Sequence, residues 1–223
     1  MGKLFDKLIK LSLLGLILCS TSCFYGKRIE REEAKNQLQS CYEYYLDNIE
    51  DIERTGYHIQ LKRLSSNFAA DGKTYKELEV KKESNNLYVY QVYENKSTSG
   101  KDIAEVNYYE ENSKYYIENL IDKTKSETTL ELYQNYLDTF SYKFVLDVYI
   151  RQSFGFTSNG SQSYYSNEIG DLVLIFNNSN QIANKKVTSK SIYEYDNYLF
   201  KSFNMTATNG DYTKIMVEYD DMK

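Results

Sequence analysis

Three thiols, one imidazole and 32 carboxylates are the groups in this 223-residue chain that could do chemistry beyond hydrogen bonding. The imidazole, His58, sits among alternating residues (Tyr57, Ile59 and Leu61 against His58, Gln60 and Lys62) and falls on the polar side of the strand they predict. A Ser-His-Asp relay would have to use it, and no Gly-x-Ser-x-Gly turn accompanies it. Zinc sites draw on several His or Cys ligands, so one His and one spare Cys point to no metal site. The Gly-Lys-Ser/Thr phosphate loop, the dinucleotide fingerprint and the Asp-x-Asp-x-Asp-Gly calcium loop do not occur either. No cofactor is implied. Glu110-Glu111 and Asp220-Asp221 are adjacent carboxylate pairs. Neighbours on a strand point to opposite faces, so neither pair converges on one substrate atom, and both read as solvated acids. A hydrolase assembled from distant carboxylates stays open, because their separation belongs to the fold.

The thiol with the most specific surroundings is Cys23. Lys3, Lys7 and Lys10, interrupted by Asp6, form a positive head. Leu11 to Cys19 follows as a mostly apolar run, then Ser20-Thr21-Ser22. A helix of that length spans about 14 Å, against about 30 Å for a bilayer core. Charged head, short apolar run and small residues make a secretory signal peptide. The small pair Thr21-Ser22 directly before Cys23 resembles the lipobox of bacterial lipoproteins, where a peptidase cleaves before a Cys that has received diacylglycerol. Ser20 departs from the Leu that this family prefers. Cys19 has Leu16 at that position but Leu18 directly before it, so Cys23 fits better. The resemblance implies a leader over 1–22, lipidation of Cys23, a lipidated spacer over 23–27 and a single domain over 28–223. It also implies an extracytoplasmic protein, lipid-anchored to a bacterial membrane on its cell-surface or periplasmic side. Cys41 is then left without a partner, which excludes a disulfide within the mature chain. It lies on the apolar face of a predicted helix and reads as a small buried hydrophobe.

Hydrophobic residues make up 41% and charged residues 26%, which suits a cored domain with an ordinary surface. The formal net charge is −5, and an acidic body argues against nucleic acid as a partner. With 0 Pro, turns must rest on Gly, Asn, Asp and Ser. The 24 Tyr suit half-buried strand positions, where a ring packs and its hydroxyl reaches water.

The elements follow from periodicity. Leu38, Cys41, Tyr42, Tyr45, Leu46, Ile49 and Ile52 step by three and four along a helix from about Arg28 to Arg54, ending near Gly56. About five strands follow to Ile121, with hairpin tips at Asn85-Asn86 and Glu111-Asn112-Ser113. Thr128 and Glu131 fit a capping box for a second helix, with Leu130, Tyr133, Leu137, Phe140, Phe144 and Val148 on its apolar side. A loop is expected over Phe156 to Gly170. Four or five strands complete the chain, two of them joined at Asn209-Gly210. This order predicts an α+β fold: a strongly bent antiparallel sheet of about nine strands, a half-barrel, covered by two amphipathic helices. In element order the mature chain resembles the LolA/LppX type of lipoprotein carrier. The alternative is two cystatin-like units, each one helix and four strands.

Two function classes lead. One is a non-catalytic binding protein that holds a lipid or other apolar ligand between sheet and helices. The other is a surface interaction or adhesion protein, meeting an envelope or host protein, with a solid core and an exposed aromatic patch. A carboxylate-based enzyme comes last. Replacing the anchor thiol, Cys23→Ala, is expected to abolish metabolic labelling with palmitate and to release the protein into the medium; undiminished labelling would refute the assignment.

Overall fold

The computed structural model describes residues 26–67, 72–98, 100–156, 160–182 and 185–220. The leader over 1–22, Cys19 and the lipidation candidate Cys23 lie outside the described residues.

Helix α1 (Arg31–Thr55) buries Ala34, Leu38, Cys41, Tyr45 and Ile52 along one stripe. Glu32 and Glu33 in its first turn and Arg54 in its last suit the helix dipole. It ends at Gly56 with φ +123, where a Cβ would stand 2.5 Å from the Lys82 carbonyl oxygen. Only glycine accommodates that approach. The helix starts later than the expected Arg28, because Lys27–Arg28 forms a short strand, β1, which takes in the last residue of the expected spacer. Leu46 is exposed rather than buried.

After α1 the chain runs through β2 (Tyr57–Asn67), β3 (Gly72–Glu83), β4 (Asn86–Asn95), β5 (Gly100–Glu111), β6 (Lys114–Asn119) and β7 (Thr124–Thr128). Helices α2 (Leu130–Thr139) and α3 (Tyr142–Ser153) follow, then β8 (Ser161–Ser166), β9 (Leu172–Ile182), β10 (Lys185–Asp196), β11 (Leu199–Ala207) and β12 (Tyr212–Tyr219). All the strands join one antiparallel sheet in the order β1-β8-β9-β10-β11-β12-β2-β3-β4-β5-β6-β7.

The α+β class holds, but the described sheet has 12 strands rather than about nine. The additional ones include β1, β7 and β8. Strand β7 reads Thr-Lys-Ser-Glu-Thr and β8 reads Ser-Gln-Ser-Tyr-Tyr-Ser, so neither carries an alternating apolar pattern. Their pairing is imposed by the neighbouring strands. The expected loop over Phe156 to Gly170 therefore contains β8. The two halves of the chain are not separate cystatin-like units, because β12 pairs with β2 from Tyr57↔Tyr219 to Leu64↔Tyr212 and makes the sheet continuous.

The second expected helix is two helices, so three cover the sheet. The chain breaks at Phe140–Ser141, where extended Ser141 caps α3 by accepting from Phe144 N–H at 3.2 Å. The break resets the helical phase. Helix α3 buries Tyr142, Leu146 and Ile150, whereas Phe144 and Val148, expected on the buried side, are 70% and 50% exposed. Thr129, not Thr128, caps α2, because Thr128 is held in β7 opposite Tyr115.

The core lies between the helices and one sheet face. Ile59, Val80, Val89, Ile215, Val217, Leu172 and Leu174 point into it and are buried. A polar knot sits at its centre. Tyr142 Oη lies 2.5 Å from Tyr219 Oη, which donates to the Phe200 carbonyl at 2.6 Å. Tyr57 Oη lies 3.1 Å from Glu53 Oε2 and 3.1 Å from the Phe140 carbonyl. The Lys82 ammonium donates to the carbonyls of Glu53 (2.7 Å) and Ser84 (2.9 Å). Glu53 thus ties the last turn of α1 to β2 and to the start of α3.

Burial pushes the Glu53 carboxyl above its ordinary value, against the opposing effects of the Tyr57 hydroxyl, the Lys82 charge and the first amides of α3. A carboxyl raised in the folded state binds its proton more tightly there than when unfolded. Its ionisation costs stability, a cost that is absent at acid pH and complete once pH exceeds the folded value. Glu53→Gln is therefore expected to raise Tm by a few degrees at about pH 7 and by nothing near pH 4, measured by thermal unfolding across pH.

Candidate binding surface

Period-two alternation in β3 to β6 sends two sets of side chains to opposite faces. Leu78, Val80, Leu87, Val89, Val106, Tyr108 and Ile117 join the core beneath the helices or pack against it. Tyr75, Glu77, Glu79 and Lys81 of β3, Tyr88, Tyr90 and Val92 of β4, Ile103, Glu105 and Tyr109 of β5 and Tyr116 of β6 take the other face. The contacts of the described helices run to the first face: Tyr133 stacks on Tyr115 and Tyr136 on Tyr108, at 4.9 and 4.3 Å between ring centroids.

The outer face is a field of half-buried tyrosines among charges. Tyr109 and Tyr116 stack at 5.6 Å, and the Lys125 ammonium stands 4.0 Å from the Tyr116 ring centre. Lys125 also pairs with Glu111 at 3.1 Å, while Lys81 lies over Tyr88 at 5.5 Å. Tyr88 donates to Glu105 at 3.1 Å and Tyr75 to Glu77 at 2.7 Å. Burial, then the hydrogen bond to Glu105, pushes the Tyr88 hydroxyl up to about 12, so it stays a neutral donor. Val92 is 5% exposed although it faces outward between Glu77 and Ile103, and Ile103 is 45% exposed. An open hollow of about 280 Å³ is bounded by Lys81, Glu83, Tyr88, Asn107 and Tyr109, among others. Rings held by cations and hydrogen bonds lose little conformational freedom on contact with a partner, and Tyr is enriched at interface hot spots.

His58 lies on this same face. Its Nε2 is 2.8 Å from Glu79 and its Nδ1 is 3.3 Å from Glu218. Burial acts to raise the Glu79 carboxyl, yet Lys81 and His58 together hold it below the ordinary carboxylate value. The imidazole serves a charge ladder across β12, β2 and β3, alongside Lys62–Glu77 at 2.8 Å. The adjacent acids stay apart from it. Glu111 pairs with Lys125, Glu110 meets Asn85 at 3.3 Å, and Asp220 stands beside Gly56. Cys41 is fully buried, and burial, with Asp171 adding to it, pushes its thiol up to about 12. That is the setting of an inert packing residue, as the helical pattern indicates.

The space between helices and sheet is occupied by side chains. Tyr45, Tyr57, Tyr142, Leu146, Ile150, Tyr195 and Phe200 fill it, with Tyr142 centred 5.7 Å from Tyr57 and 5.8 Å from Tyr45 and from Tyr219. A second hollow, of about 320 Å³, opens outward between α1 and α3 and is lined by Gln39, Tyr42, Arg151 and Phe154. Its aromatic walls meet edge to face at 5.5 Å, and Arg151 is held by Asp147 at 2.6 Å.

The tyrosine alternation is legible in the sequence, where these residues read as fillers of half-buried positions. Nothing in their spacing tells which set the helices cover.

No protein-family profile and no curated protein matches the sequence. Among solved structures the chain is similar to LprF from Mycobacterium bovis, with 8% identity, a TM-score of 0.34, and coverage of 86% of this chain and 95% of that one. A likeness that distant transfers no activity, ligand or partner.

Proposed function

We propose that this chain is a non-catalytic lipoprotein, tethered by lipid on Cys23 outside the cytoplasm of a bacterium, that binds a protein partner through the outer face of β3 to β6. The observation that supports this reading most directly is the stripe of tyrosines on the face that the described helices leave free. The packed interior supports it too, since contact must then be made at the surface. The rings match the aromatic enrichment of interface cores, and the Lys and Glu among them take the place of a polar rim. The partner class is an envelope or host protein carrying complementary charge and a protruding apolar or aromatic side chain to enter the hollow by Tyr88 and Tyr109.

A second reading, a lipid or other apolar ligand held at the helical side of the sheet, is favoured by the hollow between α1 and α3. Tyr42 and Phe154 offer apolar walls there, and Arg151 offers a cation for an anionic head. In this reading the ligand rests between the two helices rather than deep under them.

The first reading predicts that a photo-crosslinking residue at position 88 or 109 in intact cells yields a discrete adduct. The same residue at the exposed helical position 144 should yield none. Equal labelling from both faces, or none from the outer one, would defeat it. For the second reading, native mass spectrometry of the purified chain is expected to show a bound apolar species that is lost in Phe154→Ala, and a ligand-free spectrum would remove it.

A further inference from the structure

The end of the sheet nearest the tether carries a surface that the proposed partner face does not use. Lys27 and Arg28 form β1 by pairing with Ser166 and Tyr165 of β8, and Ile29 N–H donates to the Tyr164 carbonyl at 3.0 Å. Gly26 lies so close to the β8–β9 turn that a Cβ there would be 2.5 Å from Asn167 Oδ1. Three residue steps separate Gly26 from Cys23, a reach of about 10 Å at most. A lipid on Cys23 therefore holds this edge, and the turn beside it, close to the bilayer.

That turn is fixed, and it presents an apolar side chain. Ser166 Oγ donates to the Glu168 carbonyl at 2.8 Å, Asp171 N–H approaches the same carbonyl at 3.2 Å, and Tyr198 N–H donates to the Gly170 carbonyl at 3.0 Å. Gly170, at φ +99, packs against the Tyr198 ring. Between them Ile169 is 73% exposed, more than any other large hydrophobic side chain of the described surface. Exposure of one isoleucine is ordinary in itself, as Phe144 at 70% shows; what sets Ile169 apart is its place on a hydrogen-bonded turn within reach of the tether. Lys27 and Arg28 are exposed beside it, but Glu30 and Glu168 are exposed there too, so their charges offset. The contact is apolar rather than electrostatic.

We propose that the β1–β8 edge and the β8–β9 turn rest on the membrane, with Ile169 inserted at the boundary between headgroups and acyl chains. This deepens the reading above and depends on the acylation of Cys23. The diacylglycerol on Cys23 is the holding anchor, and a fixed apolar side chain beside it adds a second contact that orients the domain. The sheet then extends away from the bilayer. From β8 to β5 is eight strand spacings, roughly 40 Å measured along the sheet, so the tyrosine face lies on strands remote from that edge.

The chain has 0 Trp, so one introduced Trp is the sole reporter. The acylated full-length chain is reconstituted into phosphatidylcholine vesicles with brominated acyl chains, and flotation of the chain with the vesicles is recorded first. Ile169→Trp is expected to emit at shorter wavelength and to lose roughly half of its emission to the bromines, a depth consistent with interfacial insertion. Ile103→Trp, at the far part of the sheet, is expected to lose none. A chain that floats with Ile169→Trp unquenched, or with both positions quenched alike, overturns the orientation while leaving the tether intact. A chain that does not float removes the tether, and the orientation with it.

Discussion

The pairing of β12 with β2 is the contact on which the rest of the structure depends. Eight residue pairs, Tyr57↔Tyr219 through Leu64↔Tyr212, join the last strand of the chain to its first long strand. Without it there would be two sheets with exposed edges, each with a helix or two of its own. With it, α1 can lie across strands from both halves, reaching β8, β9 and β11 on one side and β3 on the other. The polar knot forms at that junction. Tyr57 comes from β2, Tyr219 from β12, Glu53 from α1 and Tyr142 from α3, so the consecutive α1 and β2 meet two elements distant in the chain where the halves join. Deep burial of three hydroxyls and a carboxyl is tolerable because nearly all of their polar atoms find a partner there.

A sheet of this width has far more surface than the three described helices can cover, and the tyrosines answer that problem on both sides. Beneath the helices their rings supply core volume, and several hydroxyls find partners, as Tyr195 does with the Ser153 hydroxyl at 2.8 Å and Tyr219 with the Phe200 carbonyl at 2.6 Å, while the Tyr45 hydroxyl stays unpartnered. On the free face the same side chain meets Lys with its ring, as Tyr88 and Tyr116 do, and carboxylate with its hydroxyl, as Tyr75 and Tyr88 do. That face would be an aggregation hazard if it were purely apolar, and it would have nothing to anchor a partner if it were purely charged. At the edges the sheet is closed by short polar strands: β7 carries Lys125 and Glu127, and β1 carries Lys27 and Arg28. Charged edges of this kind discourage pairing with another chain.

Much of this was determined by sequence alone, wherever the signal is local. The period of α1, the stop at Gly56, the burial of Cys41 and the hairpins at Asn112-Ser113 and Asn209-Gly210 all rest on residues within a few positions of one another, and the antiparallel α+β class follows from the order of such local elements. Three things were decided only by the tertiary structure. The short strands β1, β7 and β8 exist because neighbours offer them hydrogen bonds, not because their own residues alternate. The helix break at Ser141 decides which side chains of α3 reach the core. A stripe from Leu130 to Val148 looks continuous in the sequence, yet the break turns Phe144 and Val148 outward and Leu146 and Ile150 inward. The choice of which face of the sheet the helices cover, and hence which tyrosines are core and which are surface, has no local signature. Both sets alternate with the same period, and only contacts between residues far apart in the chain distinguish inside from outside.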